Sequence, residues 1–283
     1  MANRLFVSLR RALALGVLLL GSGSAMAQVG TNGVVVSISG NTATAQISLP
    51  GNIGADLTLA FDSTQNLSAA NLGISAQLVD VNASGLIARL PDSLLTSVPS
   101  AFPMLITIEP SGGFSFTNSY SVNIHTSNLV YVAGTPLRIF KAPYGGNFAD
   151  ITEDVNQGSV NTRGREGGFS QFLIVADMRP SANVAVGKFN ALNVRLSNTA
   201  MSPALLNQLN ATLAQALTAF NANNYVAAIG YIDTFRSQAQ AQAGTGLANV
   251  WRASRDLDNA EGTLDGMAST LRFTLTRLRD FGQ

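Results

Sequence analysis

The hydrophobic period changes partway along this chain, and that change constrains the fold more than any other feature. From residue 28 to about 200 apolar residues recur at every second position, the spacing of a strand with one buried face. From Ser202 they recur at every third or fourth position, the spacing of a helix with one apolar stripe. The expected architecture is therefore β plus α: an antiparallel β-sandwich, Ig-like or related, over residues 28–200, then a helical hairpin or three-helix bundle over residues 201–283.

The first hairpin is legible in detail. Gly40-Asn41 is a two-residue turn that sets Val34, Val36 and Ile38 opposite Ile47, Ala45 and Ala43, giving one wholly apolar face. Alternation returns at Leu57, Leu59 and Phe61, at Leu72, Ile74, Ala76 and Leu78, at Phe114 and Phe116, and at Tyr120, Val122 and Ile124. Residues 91–103 interrupt it and leave room for one short helical turn. Residues 136–177 parse as a four-stranded meander: 137–141, 148–152, 159–163 and 169–176.

Ser202-Pro203 is a helix start, with Ser as N-cap and Pro at the first helical position. Leu206, Leu209, Leu213, Leu217 and Phe220 mark one face. Tyr225, Ile229, Ile232 and Phe235 mark a second helix that stops at Gly244. A third stripe runs through Leu247, Val250, Ser254, Leu257, Glu261, Leu264, Ala268, Leu271, Leu275 and Leu278. Gly262 and Gly266 weaken it by about 1 kcal/mol each relative to Ala, so it reads as one kinked helix or two.

Residues 1–27 read as a cleavable signal peptide. Arg4, Arg10 and Arg11 form a positive n-region, and residues 12–20 are an apolar run of nine, shorter than the roughly 20 a spanning helix needs. Ala25-Met26-Ala27 then sets small residues, Ala25 and Ala27, where signal peptidase cuts, so the mature chain is expected to start at Gln28 and to be periplasmic or extracellular. Loss of the three arginines leaves 14 basic against 16 acidic residues, a formal charge of −2. That balance carries no basic patch for nucleic acid. No segment after Leu20 approaches membrane-spanning length. The absence of cysteine excludes thiol catalysis, thiolate metal sites and iron–sulfur clusters.

Three elements of the 136–177 block, L-R-I-F at 137–140, D-I-T at 150–152 and F-S-Q-F-L-I-V at 169–175, resemble a β-sandwich segment of uncharacterised exported proteins of Gram-negative bacteria. Gln171 stands where Glu is more usual. The pattern A-x-x-x-F-x-x-N-N-Y-x-x-A-I-x-Y-I-x-x-F at 216–235 is similar to small helical modules on bacterial surface and secreted proteins, which implies attachment or interaction.

Chemistry is sparse. His125, the only histidine, is out of phase with Val122 and Ile124 and is expected at the surface. Glu109, Asp150, Glu166 and Asp177 would make a carboxylate pair only if the fold brings them together. Asp150, Glu153, Asp154 and Asn156, and likewise Asp80 and Asn82 beside Gly85, offer oxygen ligands for calcium, but turn formation explains them better. Arg163, Arg165 and Arg179 suit an anionic glycan or phosphate, with Glu166 and Asp177 as the simpler partners. Trp251, Phe114, Phe116, Tyr120 and Tyr131 would suit sugar stacking, yet alternation favours core packing. No catalytic, cofactor or metal site is assigned. The reading is a non-catalytic exported protein that binds or builds, with a protein or a cell-surface glycan as its class of partner and its oligomeric state open. The alternative is a carbohydrate-active enzyme that uses a carboxylate pair.

Overall fold

The computed structural model describes residues 28–29, 33–156 and 159–282. Residues 1–27, with the expected cleavage residues Ala25 and Ala27, lie outside the described residues. Strands β1 (Gln28–Val29), β2 (Val34–Ser39) and β3 (Thr42–Leu49) open the fold, and Gly40, at φ 55°, turns β2 into β3. Val34, Val36 and Ile38 face Ile47, Ala45 and Ala43, the register that the alternation requires.

The chain continues through β4 (Ile53–Ala60), β5 (Ser63–Gln65), α1 (Ala69–Leu72), β6 (Ile74–Leu78) and α2 (Ser84–Ile87). Next come β7 (Thr96–Ser97), β8 (Met104–Ile108), β9 (Ser115–Thr117), β10 (Tyr120–Val130) and β11 (Leu137–Ala142). Then follow β12 (Ala149–Asp150), β13 (Thr152–Asn156), β14 (Ser159–Glu166) and β15 (Gln171–Asp177). Helices α3 (Ser181–Ser197), α4 (Pro203–Asn221) and α5 (Tyr225–Gln240), strand β16 (Val250–Arg252) and helix α6 (Ala260–Phe281) complete it.

The result is a mixed α/β chain with three antiparallel sheets and, among the described residues, six helices. The first sheet runs β1-β2-β3-β4-β10-β14-β13, the second β12-β11-β15-β8-β6 with β7 beside β15, and the third β16-β9-β5. Leu57, Leu59, Val122 and Ile124 of the first sheet share one core with Ile106, Ile139, Phe172 and Ile174 of the second. Each such buried side chain contributes about 1.5–3 kcal/mol of burial free energy. Phe189, Leu209, Ile232, Phe235 and Leu271 form a second, helical core.

The meander over 136–177 is not what forms. The chain changes sheets within it: Asp150 pairs with Phe140 in the second sheet, whereas Thr152 pairs with Gly164 in the first. β14 then joins β10, and β15 joins β11 and β8. The reason lies in β15 itself. Phe172 and Ile174 enter the inter-sheet core while Leu173 and Val175 enter a third cluster with Phe148 and Leu86 on the opposite face. A strand that is apolar on both faces needs cover on both, so β15 takes an interior place.

Helix α3 replaces the end of the strand-rich reading. Its buried positions Ala185, Phe189, Leu192 and Leu196 are spaced for a helix, but exposed Val186 and Val194 and the interior Gly187 mask that period. Residues 91–103 hold turns and the two-residue β7, while the short helix α2 falls earlier, at Ser84–Ile87. The start at Ser202 is as read: its side chain accepts from Leu205 N at 3.2 Å. The third stripe is helical only from Ala260. Before it, Trp251 pairs opposite Phe116, stacked at 5.5 Å. Burial of that indole draws residues 250–252 into a sheet.

Candidate functional site

Helix α6 packs against α3 and α5 on one side and against β13 and β14 on the other. Its apolar stripe, Leu264, Ala268, Leu271, Leu275 and Leu278, enters the helical core. Its other stripe, Glu261, Asp265, Ser269, Thr270, Thr274 and Arg277, is buried as well, and it is polar. Gly262 and Gly266 let this side come close: a Cβ on Gly262 would meet the Asn118 carbonyl oxygen, and one on Gly266 would lie 2.5 Å from that of Arg165. The two glycines that weaken the helix are what lets it lie on strand backbone.

The seam so formed is a chain of charged hydrogen bonds. Asn259 caps α6 by accepting from Gly262 N at 3.0 Å, and its Nδ2 donates to the carbonyls of Asn118 and Gly167 at 2.7 and 3.0 Å. Asp265 accepts from Ser119 Oγ at 2.7 Å and Arg236 Nε at 2.8 Å. Glu153 accepts from Ser269 Oγ at 2.8 Å, Arg165 Nε at 3.1 Å and Arg163 Nε at 2.7 Å. Further along, Lys188 of α3 reaches Asp150 Oδ2 at 2.6 Å and also donates to the hydroxyls of Thr270 and Thr274, at 2.6 and 2.8 Å. Burial alone would push the Asp150 carboxyl up, but Lys188 and Arg138 together hold it below its ordinary value. Burial lowers Lys188 in spite of Asp150.

Beyond Lys188 lie two more arginines. Arg138 of β11 donates through Nη1 to the carbonyls of Thr135 and Leu137 at 2.7 and 2.6 Å. Arg277 of α6 donates through Nη2 to the Gly134 carbonyl at 2.9 Å. Arg138 is pushed down to about 10, by burial first and by Arg277 second. Arg179 forks onto Asp177, Nε to Oδ1 at 2.8 Å and Nη2 to Oδ2 at 2.7 Å. Two cavities open on this stretch, and Arg179 lines both. One, of about 310 Å³, is bounded by Phe148, Asp150, Lys188 and Met267. The other, of about 450 Å³, is bounded by Arg138, Asp177, Ser181 and Arg277. A third, of about 320 Å³, lies away from them beside Tyr144 and Trp251.

Of the four scattered carboxylates, Asp150 stands with Asp177 around one small void and with Glu166 on the wall of the 310 Å³ cavity, each held by its own cation. Glu166 pairs with Lys141 at 2.7 Å, and Glu109 is exposed on the far side of β8. Arg179 has the expected Asp177, whereas Arg163 and Arg165 pair with Glu153 and not with Glu166. Of the calcium candidates, Asp80 accepts from Asn82 N in a turn, and Asp154 accepts from Asn156 at 2.8 Å. His125 lies at the surface, 3.4 Å from Asp56. Phe114, Phe116, Tyr120 and Trp251 join Phe61 and Phe169 in one buried aromatic cluster, and Tyr131 is half-buried against that core.

Sequence reasoning missed Arg138, Lys188, Thr270, Thr274 and Arg277. One signal was available: Glu261, Asp265 and Ser269, with Thr270, Thr274 and Arg277, repeat at three and four, a polar stripe parallel to the apolar one. No curated protein matches this sequence. A model described as a family of unknown function, DUF6689, matches residues 15–279, and the chain belongs to that family.

Proposed function

We propose that this protein is exported across the inner membrane of a Gram-negative bacterium and acts there by binding or as a structural element, not by catalysis. In this reading the two large sheets are an antiparallel sandwich and α4–α6 a bundle docked on it. The observation that carries the non-catalytic part is the use to which the carboxylates are put. Asp150, Glu153, Glu166 and Asp177 each hold a lysine or arginine at 2.6–3.1 Å, and Glu261, a buried carboxylate with no such partner among the described residues, lines none of the three cavities above. Lys188 and Arg138 hold the Asp150 carboxyl in its charged form, which ties that group to structure. The cavities beside them fall in the size range of small-molecule sites. Export rests on the n-region, the short apolar run and Ala25-Met26-Ala27.

The test has two arms. The full chain is expressed in a Gram-negative host, the cells are fractionated, and the recovered protein is sequenced from its N-terminus. A product starting at Gln28 outside the cytoplasm is expected; a cytoplasmic product retaining residues 1–27 refutes export. The purified protein is then assayed on a panel of aryl glycosides and polysaccharides. Turnover that is abolished by Asp150→Asn or Glu153→Gln in folded protein would replace the binding reading with the carbohydrate-active one.

A further inference from the structure

We propose that the 450 Å³ cavity between β11, α3 and α6 is a binding site for the oxyanion group, phosphoryl or carboxylate, of a small organic anion. The proposal deepens the binding reading above and rests on it. Three independent features meet at this cavity.

The first is charge. Arg138, Arg179 and Arg277 line this cavity with Asp177 as the one acidic residue of its wall, an excess of two positive charges in a mature chain whose formal charge is −2. Asp177 is taken by Arg179 and Asp150 by Lys188. Arg138 and Arg277, 6% and 8% exposed, form no ion pair among the described residues and donate to backbone carbonyls alone. Arg138 and Arg277 repel, the nearby Asp150 and Asp177 are already held by Lys188 and Arg179, and desolvation adds to the cost. A bound anion offsets both.

The second is an unused donor. Arg277 Nε is buried and has no hydrogen-bond partner among the described residues. Buried polar groups almost always find a partner, so this N–H stands ready for an acceptor. The third is the start of α3. Its N-cap is Pro180, which offers no side-chain cap, and its first turn contains no acidic residue. The amides of the first turn lack helical acceptors and carry the positive end of the dipole. Ser181 and Ala182 of that turn line the cavity with the arginines. Guanidiniums and a helix N-terminus that line one cavity are the chemistry that selects an oxyanion. The volume far exceeds that of a bare ion, and Met178, Pro136 and Leu278 supply an apolar wall, so the group is carried on a larger molecule.

The purified protein is heated in inorganic phosphate, in glycerol phosphate and in succinate, each against chloride at matched ionic strength. An oxyanion at ten times its dissociation constant raises the melting temperature by about 3–6 °C over chloride. In Ser181→Asp a carboxylate on the chain occupies the site: the melting temperature in chloride rises, and the oxyanion shift is lost. Arg277→Gln loses the shift too; if that variant fails to fold, Ser181→Asp carries the test. Tighter binding of glycerol phosphate than of phosphate assigns the cavity to an organic anion. Equal affinity leaves the oxyanion site in place with the free ion as its ligand. Equal melting temperatures in all salts, or a Ser181→Asp variant that keeps the full shift, overturn the proposal. Those results would leave the general binding reading untouched, and glycoside turnover would remove that reading without affecting anion binding.

Discussion

Replacing Gly266 by alanine separates two opposite expectations. In an ordinary exposed helix the change stabilises by about 1 kcal/mol, because Gly has the greater backbone entropy to lose. At Gly266 the new Cβ would stand 2.5 Å from the Arg165 carbonyl oxygen and 3.3 Å from Glu166 Cα. Carbon and oxygen sit comfortably at about 3.3 Å or more, so α6 must retreat from β14 by roughly 0.8 Å. Such a retreat stretches Ser119–Asp265, now 2.7 Å, and Ser269–Glu153, now 2.8 Å, past hydrogen-bonding range. Each buried polar group so orphaned costs about 1–3 kcal/mol, and overpacking costs about as much again. After the gain in propensity, the net loss is about 2–5 kcal/mol. Urea unfolding followed by the fluorescence of Trp251, the one tryptophan, measures it. Gly230→Ala on α5 is the control: a Cβ there meets nothing within 4 Å, and stabilisation by about 0.5–1 kcal/mol is expected. If Gly266→Ala stabilises as Gly230→Ala does, the close approach of α6 to the sheet is wrong.

Two further outcomes follow from the same seam. Glu261 is 1% exposed, and burial, with Asp265 and Asp62 adding to it against Arg165 and Arg236, pushes its carboxyl up from 4.5 to about 7. Its stabilising contribution is therefore present in full below about pH 4.5 and lost as pH rises through about 7; Glu261→Gln is expected to gain about 2–3 kcal/mol on wild type between pH 5 and pH 8 in urea titrations, and an unchanged difference refutes this. Lys188→Met leaves Asp150 buried without its cation and is expected to cost about 3–5 kcal/mol, part of which Asp150→Asn restores in the double variant; additive losses in that cycle would show that the two do not interact.

Local patterns were legible where one force decides. The β2–β3 register follows from period-2 burial and a glycine turn, and the start of α4 follows from Ser202 and Pro203, because each needs only neighbours in sequence. What failed needed partners far along the chain. F-L-I-V shows that β15 needs cover on both faces, but not that β11 and β8, rather than β14, flank it. Residues 250–252 sit at helical spacing, yet the aromatic cluster around Phe116 outbids local periodicity for Trp251. Of the site, the Arg179–Asp177 pair, the carboxylates Asp150 and Glu153 and the charge of Arg163 and Arg165 were visible, but not the partners of Asp150 and Glu153. Arg138 looked like a framework residue of L-R-I-F, and Lys188 lay on a helix that β-branched residues hid.

The polar seam also explains why α6 has the composition it has. The first sheet presents Glu153, Arg163 and Arg165 on the face away from its core, a surface that an ordinary amphipathic helix would cover only by burying charges unpaired. A helix polar on that side can cover it, provided it comes close enough for direct hydrogen bonds, and Gly262 and Gly266 supply the approach. Hydrogen bonds of this kind fix the register of helix on sheet more narrowly than apolar contact does, because a slip of one ångström breaks them. Along the first turns Asp265 and Glu153 each take more than one donor, while Glu261 Oε2 is buried without a hydrogen-bond partner among the described residues. At the last turns Arg277 has a carbonyl, the Phe281 ring and the dipole of its own helix C-terminus, and no carboxylate partner among the described residues. The seam is thus well partnered at Asp265 and Glu153 and short of partners at Glu261 and Arg277. The surplus beside α3 is where an anion from outside the chain completes the seam.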